Sequence, residues 1–125
     1  MNYIYIDGDN IGLKIEQSFL NNREGELTEV NFQVTNAIIN ITSYLMTLKH
    51  EVLFSGADGI ISKGEELDVV ELLKIVREVE PNLTFSLGIG KSLRDAYVAL
   101  RYAKSKAKNM PEGLFENSFY DYEVI

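Results

Sequence analysis

The 125-residue sequence contains no cysteine, no tryptophan, one histidine and two prolines. Without thiols, thiolate metal sites, cysteine nucleophiles and a disulfide framework are excluded. A single imidazole supports neither a serine or cysteine triad nor a histidine-based zinc site, and His50 falls where a helix should end, a position the helix dipole accounts for. No apolar run approaches the ~20 residues of a membrane span. Met1 to Asp9 lacks the basic start of a signal or transit peptide, so no membrane insertion and a cytoplasmic location are expected. Positive charge is scarce as well: 12 Lys and Arg against 19 Asp and Glu leave a net −7. That balance disfavours a general binder of duplex DNA, because like charge repels a polyanion.

What is present fits one domain over residues 1–125. A chain of this length removes roughly two thirds of its extended surface from water and builds a core without staples. The charge is unevenly spread: Lys91 to Lys108 holds six of the 12 cations and one acid, so this segment carries +5 and the remainder −12. Such concentration suits a small anionic ligand better than a long one.

Asn2 to Ile6 alternates and reads as a strand that runs into the loop Asp7-Gly8-Asp9-Asn10. A short helix over Ile11 to Phe19 follows, broken by the polar stretch Asn21 to Gly25. Thr28 is expected to cap a long helix with Val30, Val34, Ala37, Ile38, Ile41, Leu45 and Leu48 along one stripe. Glu51 to Ser55 and Ile60 to Ser62 flank Gly56-Ala57-Asp58-Gly59 as a β-hairpin. A helix is expected from Glu65 to Glu80, with Val69, Leu72, Leu73, Val76 and Val79 inward, stopped by Pro81. Leu83 to Ile89 alternates as a fourth strand. Ser92 and Asp95 resemble a capping box for a helix to Lys108 that buries Leu93, Ala96, Tyr97, Leu100, Ala103 and Ala107. The aromatic tail from Leu114 to Ile125 is expected to add one or two edge strands.

The order β-α-β-β-α-β, with its first helix split and a helix and strand appended, predicts an α+β fold with a ferredoxin-like sheet. Right-handed crossovers then set the first and third strands side by side and antiparallel. The end of the first strand meets the hairpin turn, and Asp7 and Asp58, distant in sequence, become neighbours.

Two carboxylates at one sheet edge, with backbone carbonyls beside them, are hard ligands of the kind Mg2+ or Mn2+ takes when it also binds a substrate's phosphates. Asp7, Asp9 and Asp58 are the available acids. Each motif alone is equally a favoured turn or a solvated loop; their convergence is what favours a metal site. Asp9 is expected to point away from Asp7 unless the chain has turned. On the last helix Arg94, Arg101, Lys104 and Lys108 share one stripe, which is either a solvated face or a seat for a triphosphate. Gly88 and Gly90 lack the spacing of a dinucleotide fingerprint and more readily permit close approach to the sheet.

Three segments together resemble the palm domain of CRISPR polymerases and GGDEF-type cyclases. Asp7-Gly8-Asp9-Asn10-Ile11-Gly12 is similar to the D-G-D-N-x-G loop of the CRISPR polymerase palm. Ser55-Gly56-Ala57-Asp58-Gly59 stands where these families carry G-G-D-D or G-G-D-E. Leu87-Gly88-Ile89-Gly90, with Ala99-Leu100, Ala103-Lys104 and Lys108-Asn109, resembles the closing A-L-x-x-A-K-x-x-G-[KR]-N string. Length and the lack of fused modules resemble the minimal CRISPR polymerases.

The resemblance implies a nucleotidyltransferase that joins nucleoside triphosphates, ATP before GTP, into a cyclic di- or oligonucleotide messenger for anti-phage defence. It implies catalysis and metal binding at Asp7 and Asp58, with the Gly8 carbonyl and Asp9 as further metal ligands. Nucleotide contacts are implied for Asn10, Ile11, Gly12, Gly56, Ala57, Gly59, Arg101, Lys104 and Lys108. A homodimer and a downstream membrane effector reached through the product are implied partners. Three positions depart from the pattern: Ala57 replaces a glycine, Gly59 replaces the second acid, and Ala107 replaces another glycine. Two other readings therefore stand beside the first: a palm that binds nucleotide as a sensor without turnover, and a hydrolase similar to GTP cyclohydrolase III.

Overall fold

The computed structural model describes residues 1–108 and 119–121, with side chains to residue 105. In chain order the elements are β1 (Asn2–Gly8), α1 (Ile11–Leu20), α2 (Glu24–Thr47), β2 (Glu51–Gly56), β3 (Gly59–Gly64), α3 (Val69–Val79), β4 (Phe85–Gly90), α4 (Leu93–Lys108) and β5 (Phe119–Asp121). The sheet order is β2-β3-β1-β4-β5, antiparallel throughout except that β5 runs parallel to β4. The first four strands are the ferredoxin-like sheet of a palm fold, with β1 central and antiparallel to β3 as the crossovers require. One edge strand comes from the tail; its other residues lie outside those described. Among the described residues, no helix is long and apolar enough to cross a membrane.

Alternation divides β1 and β4 between the two faces of the sheet. Ile4, Ile6, Phe85, Leu87 and Ile89 point to one face and form a single core with Ala37, Ile38, Ile41 and Leu45 of α2 and Leu72 and Val76 of α3. Each fully buried aliphatic side chain contributes about 1.5–3 kcal/mol. The stripe read from α2 is the stripe that packs.

Helix starts depart from the expected boundaries, each for a visible reason. Thr28 does not cap α2: its hydroxyl donates to the Glu24 carbonyl at 3.0 Å inside a helix already begun at Glu24. Glu24 and Glu26 lie in that first turn, where carboxylates complement the dipole and substitute for a side-chain cap. Helix α3 starts four residues later than expected, at Val69, with the Asp68 carboxylate accepting from the Glu71 amide at 3.1 Å. The preceding carbonyls are engaged elsewhere. Asn2 Nδ2 donates to Glu65 O at 3.1 Å and His50 Nε2 to Glu66 O at 2.6 Å. His50 thus pegs a loop from the end of α2, with its other ring nitrogen 3.2 Å from the Ser62 hydroxyl.

The other face carries α4, and here the expected stripe is corrected. Leu93 and Tyr97 are more than half exposed, while Ala96, Ala99, Leu100 and Ala103 are buried. The cause lies in β4. A Cβ on Gly88 would collide with the Ala96 carbonyl oxygen and the Leu100 amide nitrogen, and one on Gly90 would stand 2.7 Å from the Ala96 amide nitrogen. The helix lies directly on the glycine backbone, so its contact line admits mainly alanines and turns large side chains outward. Ser92 caps α4, accepting from the Asp95 amide at 3.1 Å; Ala107 lies outside the residues whose side chains are described.

This packing predicts that Gly88→Ala costs about 3 kcal/mol by urea denaturation, the upper end for overpacking. Gly25→Ala, which meets no atom within 4 Å, is expected to be neutral or stabilising.

Candidate functional site

Strand β1 does not stop pairing at its last residue. The Gly8 amide donates to the Asp58 carbonyl at 2.9 Å on one side, and the Asp9 amide donates to the Thr84 carbonyl at 2.9 Å on the other. These two bonds draw the hairpin turn and the start of β4 onto the end of β1. Asp7 stands opposite Gly59 on β3 and Ser86 on β4, and a Cβ on Gly8 would lie 3.5 Å from the Asp58 Cβ. The convergence expected from topology is present.

Burial of the Asp7 carboxyl pushes its pKa above the ordinary value of 3.8; Lys104 opposes that rise, while Asp58 and then Asp9 add to it by like-charge repulsion. Tyr5, one turn of the pleat back on the same face, is raised as well, first by burial and then by Asp7 and Asp58. Lys104 reaches this corner from α4. Its Nζ donates to the Gly8 carbonyl at 3.1 Å and pairs with Asp7 Oδ2 at 3.2 Å and Asp9 Oδ1 at 3.1 Å.

Asp9 does not point away from Asp7. Residues two apart on one strand share a face, and β1 geometry persists through the Asp9 amide, so both carboxylates meet the same ammonium. Asp9 is nevertheless the more enclosed: its side chain is 8% exposed against 24% for Asp7. The Ser86 hydroxyl donates to its Oδ1 at 2.7 Å.

The other expected residues lie around this corner. Asn10 is exposed with φ 58°, Ile11 is buried, and Gly12 is exposed at the start of α1. Ala57 holds φ 48° in the hairpin turn, a left-handed conformation that glycine adopts without cost. A Cβ on Gly59 would stand 3.3 Å from Asp7 Oδ1, so the position lacking the second acid faces Asp7 directly. Gly56 pairs with Gly59 across the turn. Arg101 is exposed on α4, its guanidinium 6.0 Å from the Tyr97 ring centroid, and its charge opposes the rise at Tyr5. The Lys108 side chain lies outside those described.

Sequence reasoning missed two components. Ser86 is a polar residue at the alternate position of an apolar strand, a signal legible in principle. The second is an apolar groove of about 610 Å³ beside Asp58, between α1, α2 and the hairpin turn. Ile11, Ile15, Leu27, Val30 and Val34 line it, with Asn31 and Thr35 as polar groups. Val30 and Val34 had an evident role as core stripe; Asn31 and Thr35 beside them, four apart, mark the polar margin of that stripe.

The donor set fits a hard divalent cation. The Asp7 carboxylate and Gly8 carbonyl already cradle a cationic group, the Lys104 ammonium, and Asp58 is near enough for its charge to raise the Asp7 value. Among the described residues, no group of three or more histidine, aspartate or glutamate side chains is arranged to hold a metal ion; Asp7, the Gly8 carbonyl and Asp58 could supply only part of a coordination sphere, with ligand oxygens needed for the rest.

A four-stranded antiparallel sheet with acids at the end of β1 and in the adjoining hairpin is the architecture of a palm-type domain. The sequence profile of the minimal CRISPR polymerase (mCpol) domain matches residues 3–114, and the chain belongs to that family. No curated protein matches the chain.

Two outcomes follow for stability. Because the folded-state value of Asp7 is raised, its ionisation lowers stability as pH climbs through that value, and the penalty is absent below the unfolded value. Metal-free Asp7→Asn is therefore expected to melt above wild type at pH 7, with the gain vanishing as pH falls below the unfolded 3.8. Ala57→Gly relieves the left-handed strain and is expected to raise stability by about 0.5–1 kcal/mol in urea titration.

Proposed function

We propose that this chain is a metal-dependent nucleotidyltransferase that condenses nucleoside triphosphates, ATP in the first instance, into a cyclic di- or oligonucleotide. The observation that carries the reading is the corner where Asp7, the Gly8 carbonyl and Asp58 meet, with an apolar groove on one side and the cations of α4 on the other. A nucleoside triphosphate has that same polarity: an apolar base at one end, a polyanion at the other.

The groove suits a base in size and character, and Asn31 and Thr35 provide donors and acceptors for its edge. Lys104 and Arg101 would balance the charge of the β- and γ-phosphates, with Lys108 as a further cation on the same helix. Asp7, the Gly8 carbonyl and Asp58 would hold Mg2+ or Mn2+. Bound there, the ion would lower the pKa of an attacking hydroxyl and neutralise charge on the phosphates. The hydroxyl of one nucleotide attacks the α-phosphorus of another, a new P–O bond replaces the α–β bridge, pyrophosphate departs and a proton passes to solvent; the reciprocal step closes the ring. The protein contributes mainly position and charge.

One palm holds one triphosphate, so reciprocal attack calls for two copies with their sites face to face, and the active form is a two-fold dimer. The cyclic product serves as an intracellular messenger in anti-phage defence, read by a membrane effector that need not touch this protein.

Gly59 is the observation that favours a second reading, a nucleotide sensor without turnover. It removes one acid from beside Asp7, and a two-ion mechanism draws on several. The two readings separate in one experiment. Incubation with ATP or GTP and Mn2+ is expected to release pyrophosphate and yield a cyclic product by mass spectrometry, and Asp58→Asn is expected to slow release by about 100-fold or more with the melting temperature preserved. Tight nucleotide binding with no product under either metal supports the sensor; ring-opened GTP indicates a cyclohydrolase.

A further inference from the structure

The Lys104 ammonium has three hydrogens to donate and meets three oxygens, on Gly8, Asp7 and Asp9, at 3.1, 3.2 and 3.1 Å. Its donor capacity is matched within the protein. It cannot donate to a phosphate while keeping all three contacts. Two of those oxygens, on Asp7 and Gly8, are also the ones assigned above to a divalent ion, and two cations on shared oxygens repel each other strongly in a partly enclosed corner.

The third contact differs. Asp9 Oδ1 is fixed by the Ser86 hydroxyl at 2.7 Å, and Oδ2 is buried with no partner among the described residues. The Asp9 backbone is tied to Thr84. A carboxylate this enclosed, with one oxygen shared between Ser86 and Lys104, is poorly placed to reorganise around a metal and well placed to act as a pivot.

We propose that Asp9 is a positioning residue rather than a metal ligand: it anchors Lys104, which in the ligand-free protein covers the metal-binding oxygens and is transferred to the triphosphate when a divalent ion takes them. The inference rests on the nucleotidyltransferase reading. Lys104 keeps its bond to Asp9 and swings from Asp7 and the Gly8 carbonyl, which frees two hydrogens for phosphate oxygens. Metal and nucleotide then bind with positive coupling, because the departure of the lysine that favours one also favours the other.

The test is nucleotide-free Mn2+ binding, followed by electron paramagnetic resonance, on the full chain. Lys104→Met, which removes the competing charge and keeps the stem, is expected to bind Mn2+ alone about ten-fold more tightly than wild type. It is also expected to lose much of the tightening that a non-hydrolysable ATP analogue gives the wild type. Asp9→Asn retains shape and the Ser86 bond, and is expected to keep Mn2+ binding in the presence of the analogue.

A second readout needs no metal-site variant. In NMR spectra of lysine side-chain NH3+ groups, wild-type Lys104 is expected to give an exchange-protected signal that moves on adding Mg2+, and the Mg2+-bound form, in which Asp9 is its remaining protein partner, is expected to lose that protection in Asp9→Ala. Unchanged or weaker Mn2+ binding by Lys104→Met, loss of all Mn2+ binding in Asp9→Asn, or no protected Lys104 signal in the wild type would each overturn the proposal while leaving the functional reading intact. Failure of the wild type to take up Mn2+ even with the analogue overturns both.

Discussion

Everything at the candidate site depends on β1 continuing to pair after its own strand has ended. The amides of Gly8 and Asp9 donate to carbonyls on opposite sides, Asp58 in the hairpin turn and Thr84 ahead of β4. Buried backbone donors must find acceptors, and satisfying these two joins three chain segments at one point. Asp7 and Asp58 are close because the backbone accounting around Gly8 leaves them little choice. The same constraint limits the residue at position 8: a Cβ there would stand 2.7 Å from Ile11 Cγ1, and Ile11 both fills the core and lines the groove. Fold and site share this residue.

The second support is the seating of α4 on β4. Glycines at 88 and 90 bring the helix axis so near the sheet that mainly alanines fit beneath it. Close approach has a functional consequence. Lys104 follows Ala103 directly and lies one turn beyond Leu100, so the depth at which α4 is seated sets how far the ammonium extends past the sheet edge toward Gly8. A bulkier contact line would raise the helix and withdraw the lysine. The small residues that look like a packing economy are in this sense part of the site.

Much of this was legible in the sequence. Period 3.6 in α2 and period 2 in β1 and β4 gave the elements, and crossover handedness gave the strand order, from which the meeting of Asp7 with Asp58 follows. What escaped was information that one element's pattern does not carry. The late start of α3 reflects carbonyls captured by Asn2 and His50, contacts distant along the chain. The misjudged face of α4 reflects glycines on another element, because amphipathicity ranks side chains by hydrophobicity while a glycine-lined seat selects them by size. The role of Ser86 appears only once β4 is placed beside β1 in register, and the orientation of Asp9 only once β1 is seen to keep pairing through the Asp9 amide.

Charge at the corner explains why such a site is built partly buried. Asp7, Asp9 and Asp58 against Lys104 leave two negative charges in excess, and burial already holds the Asp7 carboxyl above its ordinary value. Both effects work against stability when nothing is bound. Both also mean that a divalent cation, if the proposed site takes one, would meet a concentrated, incompletely hydrated negative field and interact more strongly than with an exposed pair of acids. A protein of net charge −7 repels a nucleotide tetra-anion at long range. On the proposed reading, local neutralisation would come from cations arriving with the nucleotide and from the basic segment of α4, the helix whose Lys104 pairs with Asp7 and Asp9. The uneven distribution of charge along the chain, with half of the cations gathered between Lys91 and Lys108, is what such a requirement would leave in the sequence.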